Sequence, residues 1–338
     1  MPPPYGGVSI HLQRLSRLLS DEYEFDFVDE ARMVKKEFFN LRSLNLLRYY
    51  RKLINSDLIY IHSGTSLLKI FHVLSGRLFC KRTILTIHAY PKTKPVFPGK
   101  PDRLFFRLAD TIIAVNSEIA GRINLPSNKC LIMNAFIPPL VEEEAILPSY
   151  LSDWINVRKK NDRVIVCTNA YRLETFNNQD LYGLDLCIEA ARSLSAAGTG
   201  FSFIFNVSVL DDYEGTYNRY REIIRESDMQ DNFLLINENL SFVRLMEHSD
   251  IVLRPTNTDG DSLTVREAIY LGKKVIASDV VTRPAGTLLF RSRDADDLAD
   301  KLTEAATNRA FTPKEGKSEI FFKTLYSELI EKIIARNQ

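Results

Sequence analysis

Short apolar runs that alternate with helical patterns constrain the fold of this chain more than any other feature. In the first half, runs of strand length lie at Leu58–Ile61, Thr83–Ile87 and Thr111–Val115. The segments between them place apolar residues three and four positions apart, which is the period of a helix. Continuous apolar runs are typical of strands that are buried on both faces of a parallel sheet. The pattern therefore predicts an α/β fold with doubly wound parallel sheets.

The same alternation resumes in the second half of the chain. Pro138-Pro139, the acidic run Glu142–Glu144 and Pro148 interrupt it, a combination typical of a linker. A chain of 338 residues is long for a single core, which favours two domains. Beyond the break, strands are predicted at Val164–Cys167, Phe201–Phe205, Phe233–Ile236, Ile251–Leu253 and Lys274–Ala277.

We therefore predict two Rossmann-like domains, over residues 1–145 and 146–312, and a C-terminal helix within 313–338 that packs back toward the first domain. The carboxyl ends of the strands hold the ligands in such domains, so we expect the two clefts to face each other. A doubly wound domain normally has a strand ahead of its first Gly-rich turn. The chain starts inside that turn, at Gly6-Gly7. We expect this first strand to be missing, with lower stability or altered packing of its neighbours.

The composition indicates a soluble globular protein. Hydrophobic residues make up 45% of the chain and charged residues 26%. No apolar run approaches the roughly 18 residues that a membrane span needs, and the N-terminus lacks the pattern of a signal peptide. The four cysteines are scattered without a C-x-x-C pair, which favours buried reduced thiols. We expect a cytoplasmic protein.

Positive charge is concentrated in the first part of the chain. Residues 1–140 hold 20 Lys and Arg against 11 Asp and Glu. A predicted helix at Leu41–Ile54 concentrates it further, because leucines there alternate with Arg42, Arg48 and Arg51. Such a helix usually packs against a sheet and exposes its charged face to water. The alternative is an interfacial helix that contacts an anionic membrane.

The segment from Asp259 to Glu267 carries the strongest functional signal. A buried strand is predicted at Ile251–Leu253, and a helix is predicted to begin near Thr264. The first amides of such a helix favour an anion such as a diphosphate. Asp259 lies in the turn, where it could meet sugar hydroxyls, and Glu267 lies just inside the helix. The alternative is that Thr264 and Glu267 form only a capping box.

These residues resemble the retaining glycosyltransferases of family 4, which have the two-domain GT-B fold. The resemblance runs from Pro2 to about Leu302. Its most specific part is DGDSLTVREAIYLGKKVIASDV, which is similar to the E-x(7)-E segment of the family, with Asp259 at the first position and Glu267 at the second. The segments PTNTDGDSLTVREA, IMNAFIPP and DLYGLDL resemble a branch of bacterial surface-polysaccharide transferases.

The resemblance implies a donor site for a nucleotide-diphosphate sugar. Gly6 and Gly7 match the family's glycine turn, whose backbone approaches the diphosphate; a plain Pro-Gly turn is the alternative. The amides of Ser262, Leu263 and Thr264 would face the same diphosphate. Glu267 would accept hydrogen bonds from the ribose, and Asp259 would hold hydroxyls of the sugar.

Arg172 matches the basic residue of the family that grips the donor phosphates, although a solvent-exposed loop arginine is the alternative. The chain departs from the family at Tyr182, which replaces the usual lysine before the Gly of the next helix. As a donor-binding residue, Tyr182 can donate one hydrogen bond to a phosphate but brings no positive charge. Arg254 is a candidate for supplying that charge. Asp279 and Arg283 follow the next predicted strand and are candidates for lining the same cleft.

His88 follows the strand Thr83–Ile87 and matches the family's histidine near the donor sugar, where it would position the sugar. His62 also follows a strand, and for it simple packing is the favoured interpretation. The resemblance assigns catalysis to His88, Asp259 and Arg172. Because the acceptor attacks from the face that the phosphate leaves, the phosphate oxygen can take the proton, and no protein base is needed.

The implied activity is transfer of a hexosyl-type sugar from a nucleotide-diphosphate sugar to a polysaccharide or lipid-linked saccharide at the inner membrane face. No cofactor, metal or nucleic acid is expected. Asp259-Gly260-Asp261 is also a D-x-D string, which would bind a divalent metal in another class of transferase. Two other functions stay open: a nucleotide-sugar 2-epimerase of the same architecture, and a non-catalytic nucleotide-sugar-binding protein.

Overall fold

A computed structural model describes residues 7–31, 35–88, 102–126, 128–210, 213–260, 262–307 and 318–335. The chain divides into two units. Unit 1 comprises residues 1–137 and 317–338, and unit 2 comprises residues 138–316. Among the described residues, no helix is both long enough and apolar enough to cross a bilayer.

Unit 1 contains short parallel strands in two separate sheets. The strands are β1 (Val28–Asp29), β2 (Phe39–Asn40), β3 (Leu58–Ile61), β4 (Arg82–Ile87), β5 (Thr111–Ala114) and β6 (Cys130–Ile132). β1 pairs with β2, and the other four form one sheet in the order β3-β4-β5-β6. Leu85, Ile112 and Ala114 are fully buried in the core beside the larger sheet.

The helices of unit 1 connect these strands. They are α1 (Gly7–Leu18), α2 (Leu46–Asn55), α3 (Ser66–Leu78), α4 (Arg103–Phe106) and α5 (Ser117–Ile123). The prediction of one continuous helix over Leu41–Ile54 is wrong. A short 3₁₀ helix, Leu41–Ser43, ends at Leu44, whose left-handed backbone (φ +56°) stops the helix, and Asn45 caps α2 by accepting from the Arg48 amide at 3.0 Å.

Unit 2 is built on one six-stranded parallel sheet. Its strands are β7 (Val164–Ala170), β10 (Phe201–Val207), β11 (Phe233–Ile236), β12 (Ile251–Arg254), β13 (Lys274–Ser278) and β14 (Thr287–Phe290), and β8 (Thr175–Phe176) and β9 (Gln179–Asp180) form a small separate hairpin. The sheet order is β11-β10-β7-β12-β13-β14. Counted from the start of the unit without the hairpin, this is 3-2-1-4-5-6, the doubly wound order of dinucleotide-binding domains.

Helices cover both faces of this sheet. They are α6 (Ser149–Lys160), α7 (Leu184–Ala196), α8 (Glu214–Glu226), α9 (Phe242–His248), α10 (Leu263–Tyr270) and α11 (Ala295–Thr307). Consecutive residues of β7 enter opposite cores: Val166 packs in one apolar cluster, and Ile165 and Cys167 pack in the other. The predicted parallel sheet, buried on both faces, is therefore confirmed for this unit.

Two helices lie outside the regular alternation. α6 was not predicted, because the prolines and acidic residues before it indicated a linker, yet it buries Leu151 and Ile155 one turn apart. α12 (Glu319–Ile334) belongs to unit 1. It buries Phe322, Tyr326, Ile330 and Ile333, which are spaced three and four residues apart along one face.

Candidate functional site

The sheet order of unit 2 identifies one place where a ligand crevice is expected. Ligands of doubly wound sheets bind beyond the carboxyl ends of the strands, at the point where the strand order reverses. In unit 2 that point lies between β7 and β12, which are neighbours in the sheet but not in the chain. Arg172 follows β7 by two residues, and Pro255 follows β12 directly. Both therefore lie at the expected crevice.

Gly183 brings the start of α7 against the end of β12. Its φ is +69°, and a Cβ atom there would lie 2.3 Å from the Pro255 carbonyl oxygen. Only glycine fits both the left-handed backbone and this close approach. Asp180 fixes the turn before the helix, because its Oδ1 accepts from the amides of Tyr182 at 2.8 Å and Gly183 at 3.1 Å.

Asp259 lies between two arginines. Arg254 donates to both of its oxygens, from Nε at 3.0 Å and Nη2 at 3.1 Å, and Arg283 donates from Nη1 at 2.7 Å. Burial alone would raise the pKa of Asp259, but the two guanidinium groups outweigh it and hold the pKa far below its usual range. Asp259 is therefore a carboxylate whose oxygens already bind cations, an arrangement that the sequence did not predict.

A positive charge lies beside Tyr182. The Arg254 guanidinium is 5.4 Å from the centre of the Tyr182 ring, within the range of a cation–π contact. Arg172, in contrast, is 3.3 Å from the Glu174 carboxylate and lies over the Tyr171 ring. The residue that replaces the usual lysine is thus adjacent to an arginine that the end of β12 supplies.

The start of α10 presents backbone amides. Ser262 is the N-cap, and its hydroxyl accepts from the Val265 amide at 3.4 Å. The capping-box interpretation is therefore wrong, since Thr264 lies inside the first turn. The helix itself does not use the amides of Leu263 and Thr264. Glu267 is buried one turn further along.

The D-x-D string is only partly described, because Asp261 lies outside the described residues. Among those residues, no group of three or more His, Cys, Asp or Glu could hold a metal ion.

The glycine turn is also only partly described, because Gly6 lies outside the described residues. Gly7 is the first residue of α1, and a Cβ atom there would meet none of the described residues within 4 Å.

Unit 1 contains a cluster of three histidines. His62 follows β3 and His88 follows β4, and His62 Nδ1 lies 3.0 Å from His88 Nε2, so that one ring donates to the other. His11 of α1 donates from Nδ1 to the Ala135 carbonyl at 2.8 Å, and its ring centre is 5.2 Å from that of His62 and 5.4 Å from that of His88. The structure therefore pairs His88 with His62, for which packing alone was favoured.

These histidines are held in the neutral form. Burial lowers the pKa of His11 to about 4 and that of His88 to about 3, and it lowers the pKa of His62 well below the usual value. Repulsion between the rings would oppose protonation further. At neutral pH the cluster can therefore offer hydrogen bonds but no positive charge.

A second polar network at the same end of the strands was missed by sequence reasoning. Glu30, the residue after β1, lies 2.8 Å from His72 Nε2 and accepts from the Ser63 hydroxyl at 2.8 Å, and His72 Nδ1 lies 2.8 Å from the Tyr49 hydroxyl. The available signal was positional for Ser63, which follows the predicted strand Leu58–Ile61, as His62 does.

Comparisons with known proteins identify the fold. No protein-family model matches the chain, and no curated protein has a significantly similar sequence. Solved structures do match over nearly its whole length. A glycosyltransferase from Rickettsia africae ESF-5 has a TM-score of 0.70 at 14% identity, with 98% of this chain and 94% of that chain covered.

Two further structures show the same likeness. Anabaena HepE in complex with UDP-glucose has a TM-score of 0.65 at 14% identity, covering 100% of this chain and 96% of its own. Sucrose-phosphate synthase from Thermosynechococcus elongatus has a TM-score of 0.62 at 13% identity, covering 98% and 94%. The chain therefore has the α/β architecture of the GT-B glycosyltransferases, with two Rossmann-like domains. Identities this low establish the fold alone.

Proposed function

We propose that this GT-B chain is a retaining, metal-independent glycosyltransferase that moves a sugar from a nucleotide-diphosphate sugar to a saccharide acceptor on a polysaccharide or lipid carrier. One observation carries the proposal. At the strand-order reversal of unit 2, the Gly183 turn approaches the Pro255 carbonyl so closely that no side chain fits, and Arg254 lies over the Tyr182 ring and donates to Asp259 at 3.0 Å. Asp259 lies three residues before the Ser262 cap of α10.

The donor diphosphate would bind to amides and arginines. The first amides of α10, at Leu263 and Thr264, provide a partial positive charge and directed N–H groups, which favour a phosphate. Arg254 and Arg172 would add full charges. A neighbour of this fold was crystallised with UDP-glucose, which supports a uridine nucleotide as the first donor to test. Glu267 would bind the ribose.

The role proposed for Asp259 follows from its contacts. A direct contact with sugar hydroxyls would require it to release an arginine, because Arg254 and Arg283 occupy its oxygens. We therefore propose that Asp259 mainly positions these two guanidinium groups at the phosphate end of the crevice. Breaking a buried ion pair by removing one partner leaves an uncompensated charge, so the arrangement is strongly fixed.

Transfer requires charge to build up on the departing phosphate while the anomeric carbon becomes cation-like. Oriented amides and arginines stabilise that charge without a bound ion. The acceptor hydroxyl would attack from the face that the phosphate leaves and pass its proton to a phosphate oxygen. His88 would position the sugar as a neutral hydrogen-bonding partner, since its lowered pKa keeps it uncharged.

The replacement Glu267→Ala tests the donor site. We expect UDP binding, measured by titration calorimetry, to weaken about tenfold, because one hydrogen bond to a charged group contributes roughly 1.5 kcal/mol or more. Glu189→Ala, an exposed change in α7, is the matched control and should leave UDP affinity unchanged. Equal affinity of the two variants would refute the ribose assignment.

Analysis of products with and without a saccharide acceptor would separate transfer from epimerisation.

A further inference from the structure

Large apolar side chains are exposed on α2 and on the turn before it. Leu44 is 80% exposed and Leu47 is 87% exposed. Leu47 and Ile54 are seven residues apart and share one face of α2 with Arg51, opposite the buried side chains of Tyr49 and Leu53. Leu44 is also held in a left-handed backbone conformation, which is unfavourable for leucine. The helix thus has an apolar stripe on its solvent side as well as on its buried side.

A second apolar stripe runs along α3. Leu67, Leu74 and Leu78 are exposed, and the half-buried Phe71 lies between them at the same helical spacing. Arg77 is exposed beside Leu78. α3 therefore also presents a row of leucines to solvent. Leucines exposed by chance would be scattered singly over the surface instead.

The two stripes lie on adjacent helices. The ring centres of Tyr49 and Phe71 are 5.1 Å apart, and so are those of Tyr50 and Phe79. Lys81, just beyond α3, donates to the carbonyl of Ile54 at the end of α2 at 2.6 Å. We call the exposed residues of this pair (Leu44, Leu47, Arg48, Arg51, Ile54, Leu74, Arg77 and Leu78) the α2–α3 surface.

The charge of this surface has one sign, because its charged members are Arg48, Arg51 and Arg77. Residues 41–56 contain no Asp or Glu, and Lys52, which lies outside the defined surface, pairs with Asp26. The first part of the chain as a whole carries 20 basic against 11 acidic residues over residues 1–140. Leucines that stand among arginines suit the boundary between lipid headgroups and acyl chains, where apolar side chains insert and cations meet anionic lipids.

We propose that the α2–α3 surface binds the chain peripherally to a bilayer that contains anionic lipid. A second copy of the chain fits this surface less well, because two arginine-rich rims would face each other and repel. The proposal does not depend on sugar transfer, since lipid binding is measured without donor or acceptor. It would place the enzyme where a lipid-linked acceptor is found.

Vesicle flotation tests the proposal directly. The full chain should float with vesicles of phosphatidylglycerol and phosphatidylcholine but not with phosphatidylcholine alone, and high salt should weaken the binding. The double variant Arg48→Gln/Arg51→Gln should reduce partitioning about fivefold for each arginine removed, or roughly 30-fold in total. Leu47→Ser/Leu78→Ser should also release the protein, because it removes the inserting side chains.

Matched controls come from unit 2. Ile146→Ser removes an apolar side chain that is 85% exposed, and Arg221→Gln removes an exposed arginine, so neither should change flotation. The leucine and unit 2 variants should keep their thermal unfolding midpoint, because their altered side chains are exposed. The arginine variant should lose only a little stability, since the Arg48 guanidinium lies 5.2 Å from the Phe39 ring. UDP affinity, measured in parallel, reports the donor site separately, so that failure of one proposal is distinguishable from failure of the other.

Three outcomes would overturn the proposal. The first is a chain that does not bind vesicles containing phosphatidylglycerol. The second is equal binding by the α2–α3 variants and the unit 2 controls. The third is a dimer, detected by light scattering, that dissociates in the Leu47→Ser/Leu78→Ser variant, since the surface would then be covered by a second copy.

Discussion

Gly183 shows how one backbone position sets the geometry of the candidate donor site. Its amide donates to Asp180, its φ is +69°, and the Pro255 carbonyl oxygen is only 2.3 Å from the position that a Cβ atom would take. The loop after β12 and the start of α7 can approach each other only because this residue has no side chain. The sequence places a glycine before the helix, but it does not reveal which backbone the glycine meets.

The change Gly183→Ala should therefore be costly. We expect it to lower the free energy of unfolding by more than about 2 kcal/mol, through the left-handed backbone and the steric clash together. Gly198→Ala is the control, because Gly198 has the same φ of +69° but open space around its Cβ position. That change should lower the free energy of unfolding by about 1 kcal/mol, through the left-handed backbone conformation alone. Urea unfolding measures both, and equal losses would contradict the proposed close approach.

The contacts of Asp259 could not be predicted from its place in the sequence alone. The carboxylate and its place after a strand were evident in the sequence, and so was Arg254 five residues earlier. Arg283 is 24 residues away in the chain, and only the register of β12 and β13 brings its guanidinium to 2.7 Å from the carboxylate. A role in binding sugar hydroxyls was predicted from the motif; the contacts favour a role in positioning arginines.

At the scale of elements, α10 couples helix capping to the proposed function. Ser262 is the N-cap of α10, and its hydroxyl accepts a hydrogen bond from the Val265 amide. The amides of Leu263 and Thr264 have no partner within the helix and point away from it. If these amides bind a diphosphate, the cap positions the ligand as well as the helix. Stability and donor affinity should then change together at this residue.

The replacement Ser262→Ala tests this coupling. We expect a loss of about 1 kcal/mol in the free energy of unfolding, the usual effect of removing an N-cap hydroxyl. UDP affinity, measured by calorimetry, should fall several-fold because the first turn of α10 frays. Ser318→Ala removes the corresponding cap of α12, where Ser318 accepts from the Phe321 amide at 3.3 Å. It should cost similar stability without weakening UDP binding; a similar drop in affinity would show that the effect is not specific to α10.

At the scale of the whole molecule, the two units differ in the groups that they bury. Unit 1 holds three neutral histidines, of which His11 and His62 are buried and His88 is half-buried, and unit 2 buries a carboxylate paired with two arginines. An unfolded histidine takes up a proton near pH 6.5, whereas His11 and His88 resist protonation down to about pH 4 and pH 3. Unfolding of unit 1 therefore takes up protons below pH 6.5, so its stability falls as the pH falls.

We accordingly predict that unit 1 unfolds at a lower temperature at pH 5 than at pH 7. Each buried histidine contributes about 1.4 kcal/mol per pH unit in this window. Unit 2 should change little, because the stability that Asp259 contributes is present above its unfolded pKa of 3.8 and is lost only below it. The single tryptophan, Trp154 in α6, reports unit 2 by fluorescence, while circular dichroism reports both units.

Two variants check the cause of this pH dependence. His62→Gln keeps a neutral polar side chain in the cluster but removes one proton-binding site, so the unfolding temperature should depend less steeply on pH. His248→Gln alters an exposed histidine of α9 and should leave the dependence unchanged. A fluorescence transition that moved with pH as far as the dichroism transition would contradict the assignment to unit 1.

The sequence by itself determined the regular part of this protein. Strand periodicity follows from local burial, so the five strands predicted in unit 2 (β7, β10, β11, β12 and β13) could be placed to within three residues of their bounds. It also located the polar residues that follow strands, among them His88, Arg172 and Asp259. The helix α6 was missed because proline and charge next to it indicated a linker.

Only the tertiary structure decided which of those residues meet. Sheet order, helix packing and the left-handed turn at Gly183 depend on contacts between segments far apart in the chain, and periodicity carries no information about partners at that distance. The pairing of His62 with His88, the two arginines on Asp259 and the packing of α2 beside α3 all arise in this way. Local pattern fixes which side chains are buried, and the packing of elements fixes what they are buried against.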